Sequence, residues 1–151
     1  MTGPRQRFDE LRRMPRIPHD DIEDLWRTLE PVTVDFMIGE WKGGDMPTGH
    51  RADGFLGQSW FGTTFVSATE VHPIICVDAD GNTFEDTSLM KGGASLWMEE
   101  FRGEVTATMV YDAMPIHDHF KKVDDNTVLA ITNGKGALDK GRYMYFFLER
   151  L

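Results

Sequence analysis

The sequence predicts a mainly β protein, an antiparallel up-and-down β-barrel of roughly nine or ten strands preceded by short helices. Beyond Phe36 apolar residues recur mostly with a period of two, which is typical of strands with one buried face. Clusters of glycine, asparagine and aspartate separate these runs, as turns between successive strands require. The first strand also carries Gly39-Glu40-Trp41-Lys42-Gly43, a pattern that suits the start of a small barrel.

The helical segment is expected to occupy residues 1–31 of a single domain that spans 1–151. A short helix from Gln6 to Met14 should end before Pro15 and Pro18. A second helix begins at Asp20 and runs toward Pro31, with an apolar stripe at helical spacing. We expect the stripe to cover the open end or a flank of the barrel; left exposed, it would be a partner surface. Its members are Ile22, Leu25, Trp26 and Leu29.

The barrel is expected to fill residues 32–151, with short turns such as Asp80-Gly81-Asn82 and Asn133-Gly134. Closing such a meander on itself removes the exposed strand edges. The predicted strands are Phe36–Trp41, Phe55–Val66, Pro73–Asp78, Thr83–Met90, Ser95–Arg102, Glu104–Tyr111, Ile116–Val123, Thr127–Thr132 and Arg142–Arg150.

Trp41 is interpreted as a structural residue that closes one end of the barrel. Gly39 and Gly43 on either side let other groups approach a large ring. The last strand supplies Arg150, whose flat guanidinium suits the face of an indole. These four residues are therefore predicted to form the barrel closure.

The strand period predicts which side chains point into the barrel. On one strand Val105, Ala107, Met109 and Tyr111 share a face that we expect to be inward. On the next strand the inward set is Ile116, Asp118 and Phe120, and the outward set is His117, His119 and Lys121. The lysine in the outward set suggests that this face meets solvent.

Asp118 is the least expected residue on the predicted inner face. A buried carboxylate costs several kcal/mol unless it is paired, and its pKa often rises instead. One interpretation is a carboxylate satisfied by backbone, a hydroxyl or an arginine. The other is a group that orients a ligand or takes part in acid/base chemistry.

Methionines and aromatic residues are numerous enough to line a ligand cavity, although small barrels are often filled by side chains instead. The candidate ligand-binding residues are Asp118, Tyr111, His119, Met109, Phe120, Trp60, Phe61, Trp97, Phe146 and His50, with Phe65 and Met114 as further wall residues.

The chain from about Leu25 to Arg150 resembles the bacterial GXWXG family, which pairs its motif with a downstream domain of unknown function bearing an Asp-His-Phe signature. A fainter similarity is to calycins, the lipocalins and fatty-acid-binding proteins; it implies a ligand cavity and brings no catalytic residues. The motifs that carry the family resemblance are Gly39-Glu40-Trp41-Lys42-Gly43, Met46-Pro47-Thr48-Gly49-His50, Trp60-Phe61-Gly62, Met109-Val110-Tyr111-Asp112, Pro115-Ile116, Asp118-His119-Phe120 and Leu148-Glu149-Arg150.

No cofactor or metal is expected from the residue spacing. His117 and His119 lie on one side of a strand, but two histidines are too few for a metal site. A haem held by a single histidine remains an alternative, since the nitrobindin barrels also begin with a Gly-x-Trp-x-Gly motif and bind haem.

Composition limits the partners. Acidic residues outnumber basic ones 25 to 16, giving a net charge of −9, so nucleic acid and anionic membranes are not expected partners. Cys76 is the one cysteine and no secretory or membrane-spanning stretch is seen, so we expect a cytoplasmic protein.

These observations predict a barrel that binds a small hydrophobic or amphipathic ligand, such as a lipid or fatty acid. A small acid/base enzyme acting on an apolar substrate in the same cavity is the alternative, and whether the protein is an enzyme stays open. A homodimer formed through the helical stripe or an open sheet face is compatible with either function.

Overall fold

A computed structural model describes residues 3–151. It contains short helices near the N-terminus and ten strands in one sheet. The helices are α1 (Pro4–Arg12), α2 (His19–Thr28) and α3 (Val34–Met37). The strands are β1 (Glu30–Pro31), β2 (Gly39–Asp45), β3 (Trp60–Ser67), β4 (Glu70–Val77), β5 (Thr83–Glu85), β6 (Ala94–Phe101), β7 (Glu104–Tyr111), β8 (Ile116–Asp124), β9 (Thr127–Gly134) and β10 (Met144–Arg150).

Eight of the strands close into an antiparallel barrel in which neighbours in space are neighbours in sequence. The order runs from β2 through β3, β4, β6, β7, β8 and β9 to β10, which pairs back with β2. Of the two additional strands, β1 pairs with β8 and β5 pairs with β4. The predicted up-and-down barrel with N-terminal helices is therefore confirmed.

Strand pairing in the barrel is least extensive between β4 and β6, which share the single residue pair Val71 and Ala94. The rest of the β4 edge is taken by the short strand β5. The edge of β4 is therefore divided between β6 and β5.

Three predicted strands begin or end elsewhere than expected, and at two of them local side-chain hydrogen bonds favour other structure. The segment near Phe36 forms α3, whose N-cap Thr33 accepts a hydrogen bond from the Phe36 amide at 3.1 Å. The predicted strand 83–90 ends at Glu85, since the Asp86 carboxylate accepts from the Ser88 amide at 2.9 Å and so forms a turn. Residues 55–59 are likewise turn and loop, and β3 begins at Trp60.

The N-terminal helices cover a flank of the barrel. Their apolar residues pack with the outer side chains of β8, β9 and β10 into a second core, separate from the core inside the barrel. The predicted covering of a flank is confirmed, and an exposed stripe available to a partner is wrong, because Ile22, Leu25, Trp26 and Leu29 are all buried.

Two expectations about the faces of the strands are wrong, the first of them because α2 covers this part of β8. Lys121 does not meet solvent: it is 1% exposed, lies over the Trp26 ring at 5.2 Å, and donates to the Trp26 carbonyl and to Glu104. Val105 is 54% exposed near the end of its strand, although Ala107, Met109 and Tyr111 on the same strand face the inner core as predicted.

Among residues 3–151, no helix is both long and apolar enough to cross a bilayer.

Candidate functional site

The barrel contains a cavity of about 250 Å³ at one end. At this end the chain leaves β2, β4, β7 and β9 into loops, and the loop after β2 and the loop after β9 form much of the rim. The opposite end is closed by α3 and by side chains of the Gly-x-Trp-x-Gly segment. The barrel therefore has one open end, which holds the cavity, and one blind end.

The blind end is closed by stacking of Arg150 on aromatic rings. Its guanidinium carbon lies 4.3 Å from the centre of the Trp41 ring and 4.9 Å from that of Phe36. The same group donates to the Phe36 carbonyl at 3.0 Å, and the Trp41 indole donates to the Met37 carbonyl at 2.8 Å. Arg150 thereby ties the last strand to α3 and β2, and Gly39, at φ +134°, lies beside it.

Asp118 and Tyr111 lie in a mainly apolar cavity wall, whose other charged side chains come from the end of β2 and from the rim loops: Asp45, Arg51 and Lys135. Asp118 lies on β8, opposite Met109 of β7 on one side and Thr132 of β9 on the other. It is 3% exposed, and within residues 3–151 its Oδ1 atom has no hydrogen-bond partner. A buried oxygen without a partner costs free energy, so this atom is available to a ligand that can donate or share a proton.

Burial controls the protonation of both groups. It raises the pKa of Asp118 to about 7, although a hydrogen bond with Thr132 and the charge of His117 act in the opposite direction. Burial, and next the charge of Asp118, raises the pKa of Tyr111 well above its usual value. Near neutral pH the Tyr111 phenol is therefore neutral, and the neighbouring Asp118 carboxyl group is partly protonated and partly ionised.

An aromatic wall faces these polar groups. Trp60 and Phe146 meet edge to face with ring centres 6.0 Å apart, and the Trp60 indole donates to the Gly62 carbonyl at 3.0 Å. The ring of Trp60 lies directly over Gly43, where any β-carbon would overlap it. Gly43 is therefore needed for the cavity wall and does not make room for Trp41.

His50 fastens the rim of the cavity. Its Nε2 pairs with the Ala137 carbonyl at 3.0 Å, and its Nδ1 accepts from the Ala52 amide at 3.0 Å. Arg51 adds bonds to the carbonyls of Gly136 and Leu138. These contacts hold the loop after β2 against the loop after β9, and His50 is buried rather than solvated.

The structure places most but not all of the predicted ligand-binding residues at the cavity. Phe120 is fully buried between Phe65 and Phe146 in the barrel core and does not line the cavity. Met114 packs against the same core without lining it. The predicted residues that line it are Asp118, Tyr111, Met109, Trp60, Phe146 and His50.

His119 was expected at the ligand but lies on the outer side of the barrel wall. It stacks on Phe101 with ring centres 4.0 Å apart and bonds to Thr108 at 2.8 Å and Asn133 at 3.0 Å. Burial lowers the pKa of His119 to about 4, which keeps it neutral. His117 also faces outward and pairs with Glu99 at 2.7 Å, so neither histidine considered for haem reaches the lumen.

Trp97 and Phe61 are also misplaced by the sequence prediction. Trp97 faces away from the lumen and is 56% exposed, with its indole bonded to Ser95. Phe61, which follows Trp60 directly, does not line the cavity.

The rim residues Phe55 and Leu56 were missed as cavity residues because they were assigned to a strand. Gly54 and Gly57 on either side, both with positive φ, were the available signal for a loop. Thr63 and Thr132 also line the cavity, and nothing in their spacing distinguished them from other strand threonines.

Comparison with known proteins gives two family models and one solved structure. Residues 24–81 match the model described as GXWXG protein, and residues 92–150 match a domain of unknown function, DUF4334. A crystal structure of a protein from Thermomonospora curvata is 35% identical, covers 98% of each chain and superposes with a TM-score of 0.86. No curated protein matches.

The two matched segments build one barrel and share one cavity. Trp60 of the cavity wall comes from the first segment, whereas Tyr111 and Asp118 come from the second.

Proposed function

This chain belongs to the family of GXWXG proteins that carry a C-terminal DUF4334 domain, and from that premise we propose that it binds a small, mostly apolar molecule in the barrel cavity. One polar group of that molecule meets Asp118. The observation that supports this most directly is the unpartnered Oδ1 atom of a buried carboxyl group in an apolar cavity.

The buried Asp118 carboxyl group lowers the stability of the folded protein when no ligand is bound. A polar atom removed from water without a partner destabilises the folded protein by roughly 1 to 3 kcal/mol. A packed barrel would be more stable with an apolar side chain at position 118. A ligand that supplies the missing hydrogen bond offsets that cost in the bound state and gains orientation from it.

The size of the cavity favours a compact ligand. Its volume is about 250 Å³. Pockets that enclose drug-sized ligands usually measure about 300 to 1,000 Å³. A single ring or a short chain therefore fits better than a long acyl chain.

The polar group of the ligand is inferred to be neutral or basic. A hydroxyl or ammonium group donates to an ionised Asp118, and a carbonyl accepts from the protonated form. A carboxylate placed there would repel the ionised aspartate, so a fatty acid with its head group at Asp118 is disfavoured.

Four ligands that share a benzene ring test this proposal: toluene, benzyl alcohol, benzylamine and benzoate. Their affinities at pH 8 would be measured by ligand-observed NMR. Benzyl alcohol and benzylamine are expected to bind more tightly than toluene, and benzoate most weakly. In Asp118→Asn the preference for benzylamine over toluene should fall by about tenfold, the equivalent of one charge-assisted hydrogen bond.

Asp112→Asn is the matched control, because Asp112 is an exposed aspartate just after β7 and does not line the cavity. It should leave all four affinities unchanged. An unchanged preference for benzylamine over toluene in a folded Asp118→Asn protein would contradict the proposal. Native mass spectra before and after denaturation would show whether a small molecule co-purifies.

A second candidate function, acid/base catalysis on such a molecule, is favoured by the pKa of Asp118 at about 7 beside Tyr111. A general acid or base is most effective when its pKa lies near the working pH. Catalysis predicts turnover that depends on pH near 7 and is lost in Asp118→Asn and Tyr111→Phe proteins that still bind ligand. Binding without turnover would exclude it for the compounds tested.

A further inference from the structure

A second concavity, of about 240 Å³, adjoins the rim of the apolar cavity, and His50 lines both. Three basic side chains line it, Arg16 from the N-terminal segment and Lys140 and Arg142 from the turn before β10. It is lined by Arg16, Thr48, Gly49, His50, Asp139, Lys140 and Arg142, which we call the basic cleft.

The cations of the basic cleft are not neutralised by the protein. Among residues 3–151, none of Arg16, Lys140 and Arg142 forms a salt bridge, whereas Arg12 pairs with Glu149 at 3.1 Å and Arg51 pairs with Asp139 at 3.5 Å. The chain carries a net charge of −9. Unpaired cations gathered at one place in so acidic a protein need a reason beyond solubility.

The one acid in the cleft is already engaged elsewhere. Asp139 accepts from the Arg51 amide at 2.9 Å and faces the Arg51 guanidinium. That amide hydrogen bond, followed by the charges of Arg51, His50 and Lys140, lowers the pKa of Asp139. Its charge is thus shared with Arg51, which leaves the three other cations available.

Backbone geometry sets the positions of these cations. Lys140 and Gly141 have φ of +53° and +78° in a tight turn closed by backbone bonds of 2.9 and 3.0 Å between Asp139 and Arg142. The Arg16 guanidinium lies against Gly49, where a β-carbon would overlap it, and donates to the Thr48 carbonyl at 3.2 Å. A neighbouring backbone bond, from the Ile17 amide to the Pro47 carbonyl at 2.7 Å, fixes the two segments together.

We propose that the basic cleft binds a phosphate-type oxyanion. Two guanidinium groups and an ammonium group lining one cleft match an anion with several oxygens and more than one charge. A carboxylate is satisfied by a single guanidinium and would leave the other cations unpaired. This site is separate from the contact with Asp118, and either can exist without the other.

The test is an NMR titration of the ¹⁵N-labelled protein with inorganic phosphate at constant ionic strength, with acetate as the comparison. Phosphate should give saturable shifts at the amides of Arg16, Gly49 and residues 139–142. Lys140→Gln and Arg142→Gln should each weaken phosphate binding by about tenfold, the equivalent of one charge-assisted contact.

Lys91→Gln is the matched control, because Lys91 is also an exposed lysine with a positive φ, +60°, but lies in another loop. It should bind phosphate as wild type does. Shifts that do not saturate, equal binding of acetate, or equal weakening in Lys91→Gln would overturn the proposal.

Phenyl phosphate distinguishes the two sources of such an anion. Tighter binding than inorganic phosphate assigns the cleft to the phosphate ester of a small molecule, and equal binding assigns it to free phosphate. Failure of all three titrations would leave the Asp118 experiments unaffected, since those use ligands without phosphate.

Discussion

The indole of Trp60 lies on the backbone of Gly43, on the strand next to its own, so closely that no side chain fits between them. The second glycine of the Gly-x-Trp-x-Gly motif therefore serves the cavity, whereas Trp41 two residues earlier serves the closed end. One short motif thus contributes to both ends of the barrel.

Gly43→Ala is expected to displace Trp60 and to destabilise the protein by about 2 kcal/mol, because overpacking forces side chains or backbone to move. Urea unfolding measures the change. In a Trp60→Leu background the same substitution should cost much less, since the obstructing ring is absent. Equal costs in both backgrounds would show that Trp60 is not what excludes a side chain at position 43.

Arg150→Lys is expected to lower stability by about 1 to 2 kcal/mol, because a lysine cannot stack flat on Trp41 and also reach the Phe36 carbonyl. Ligand affinity should stay within about twofold of wild type, since the cavity lies at the other end. Arg13→Lys, at an exposed arginine, is the control for the loss of a guanidinium. A large fall in affinity with unchanged stability would contradict the assignment of Arg150 to closure.

The barrel was predictable because its signals are local. Alternation within strands and glycine-rich turns between them are readable one segment at a time, and so is the stripe of the second helix. Which part of the barrel the stripe covers depends on contacts between residues far apart in the sequence. Lys121 was expected in solvent because a lysine on an outer strand face usually is, and only the docking of α2 buries it beside Trp26.

The candidate site was predictable in part for the same reason. The alternation of side chains along a strand predicts that Asp118 and Tyr111 face inward. The same alternation places His119 on the outer face, and only the Asp-His-Phe motif suggests it as a ligand-binding residue. Trp97 was included for its size, but a large aromatic residue on a barrel can face either way. The basic cleft joins residues 16, 49 and 142, and no sequence pattern brings these together.

Glu23 is expected to be the main polar anchor of α2. It is 6% exposed and accepts hydrogen bonds from Tyr145 and from both terminal nitrogens of Arg102. Glu23→Ala should cost about 3 kcal/mol, because Arg102 and the buried Tyr145 hydroxyl lose their partner. Asp24→Ala, one residue later in an exposed pair with Arg27, should cost about 0.5 kcal/mol.

The pH dependence of the Glu23 contribution follows from its pKa. Although burial acts to raise it, hydrogen bonds from Arg102 and Tyr145 lower the pKa of Glu23 overall. Its stabilising effect is therefore present above the pKa of the unfolded chain, about 4.3, and lost as pH falls through the folded value. Chemical unfolding at pH 7 and at pH 3 should show the gap between wild type and Glu23→Ala narrowing in acid.

Asp118 is expected to give the opposite pH dependence. Its pKa is about 7 in the folded protein and about 3.9 in an unfolded chain, so the folded state holds the proton more tightly. Below pH 4 both states are protonated and ionisation costs nothing. Between pH 4 and 7 the unfolded state ionises first, and stability falls by about 1.4 kcal/mol per pH unit until the folded state ionises too.

Asp118→Asn removes this ionisation while it keeps the shape of the side chain. Relative to wild type, the variant should therefore gain a few kcal/mol between pH 4 and pH 8, most of it before pH 7. Urea unfolding of both proteins at pH 4, 6 and 8 measures the difference, in which the titration of all other carboxylates cancels. Parallel stability curves would mean that Asp118 ionises with an ordinary pKa, and the case for an unpaired buried carboxyl group in the cavity would fail.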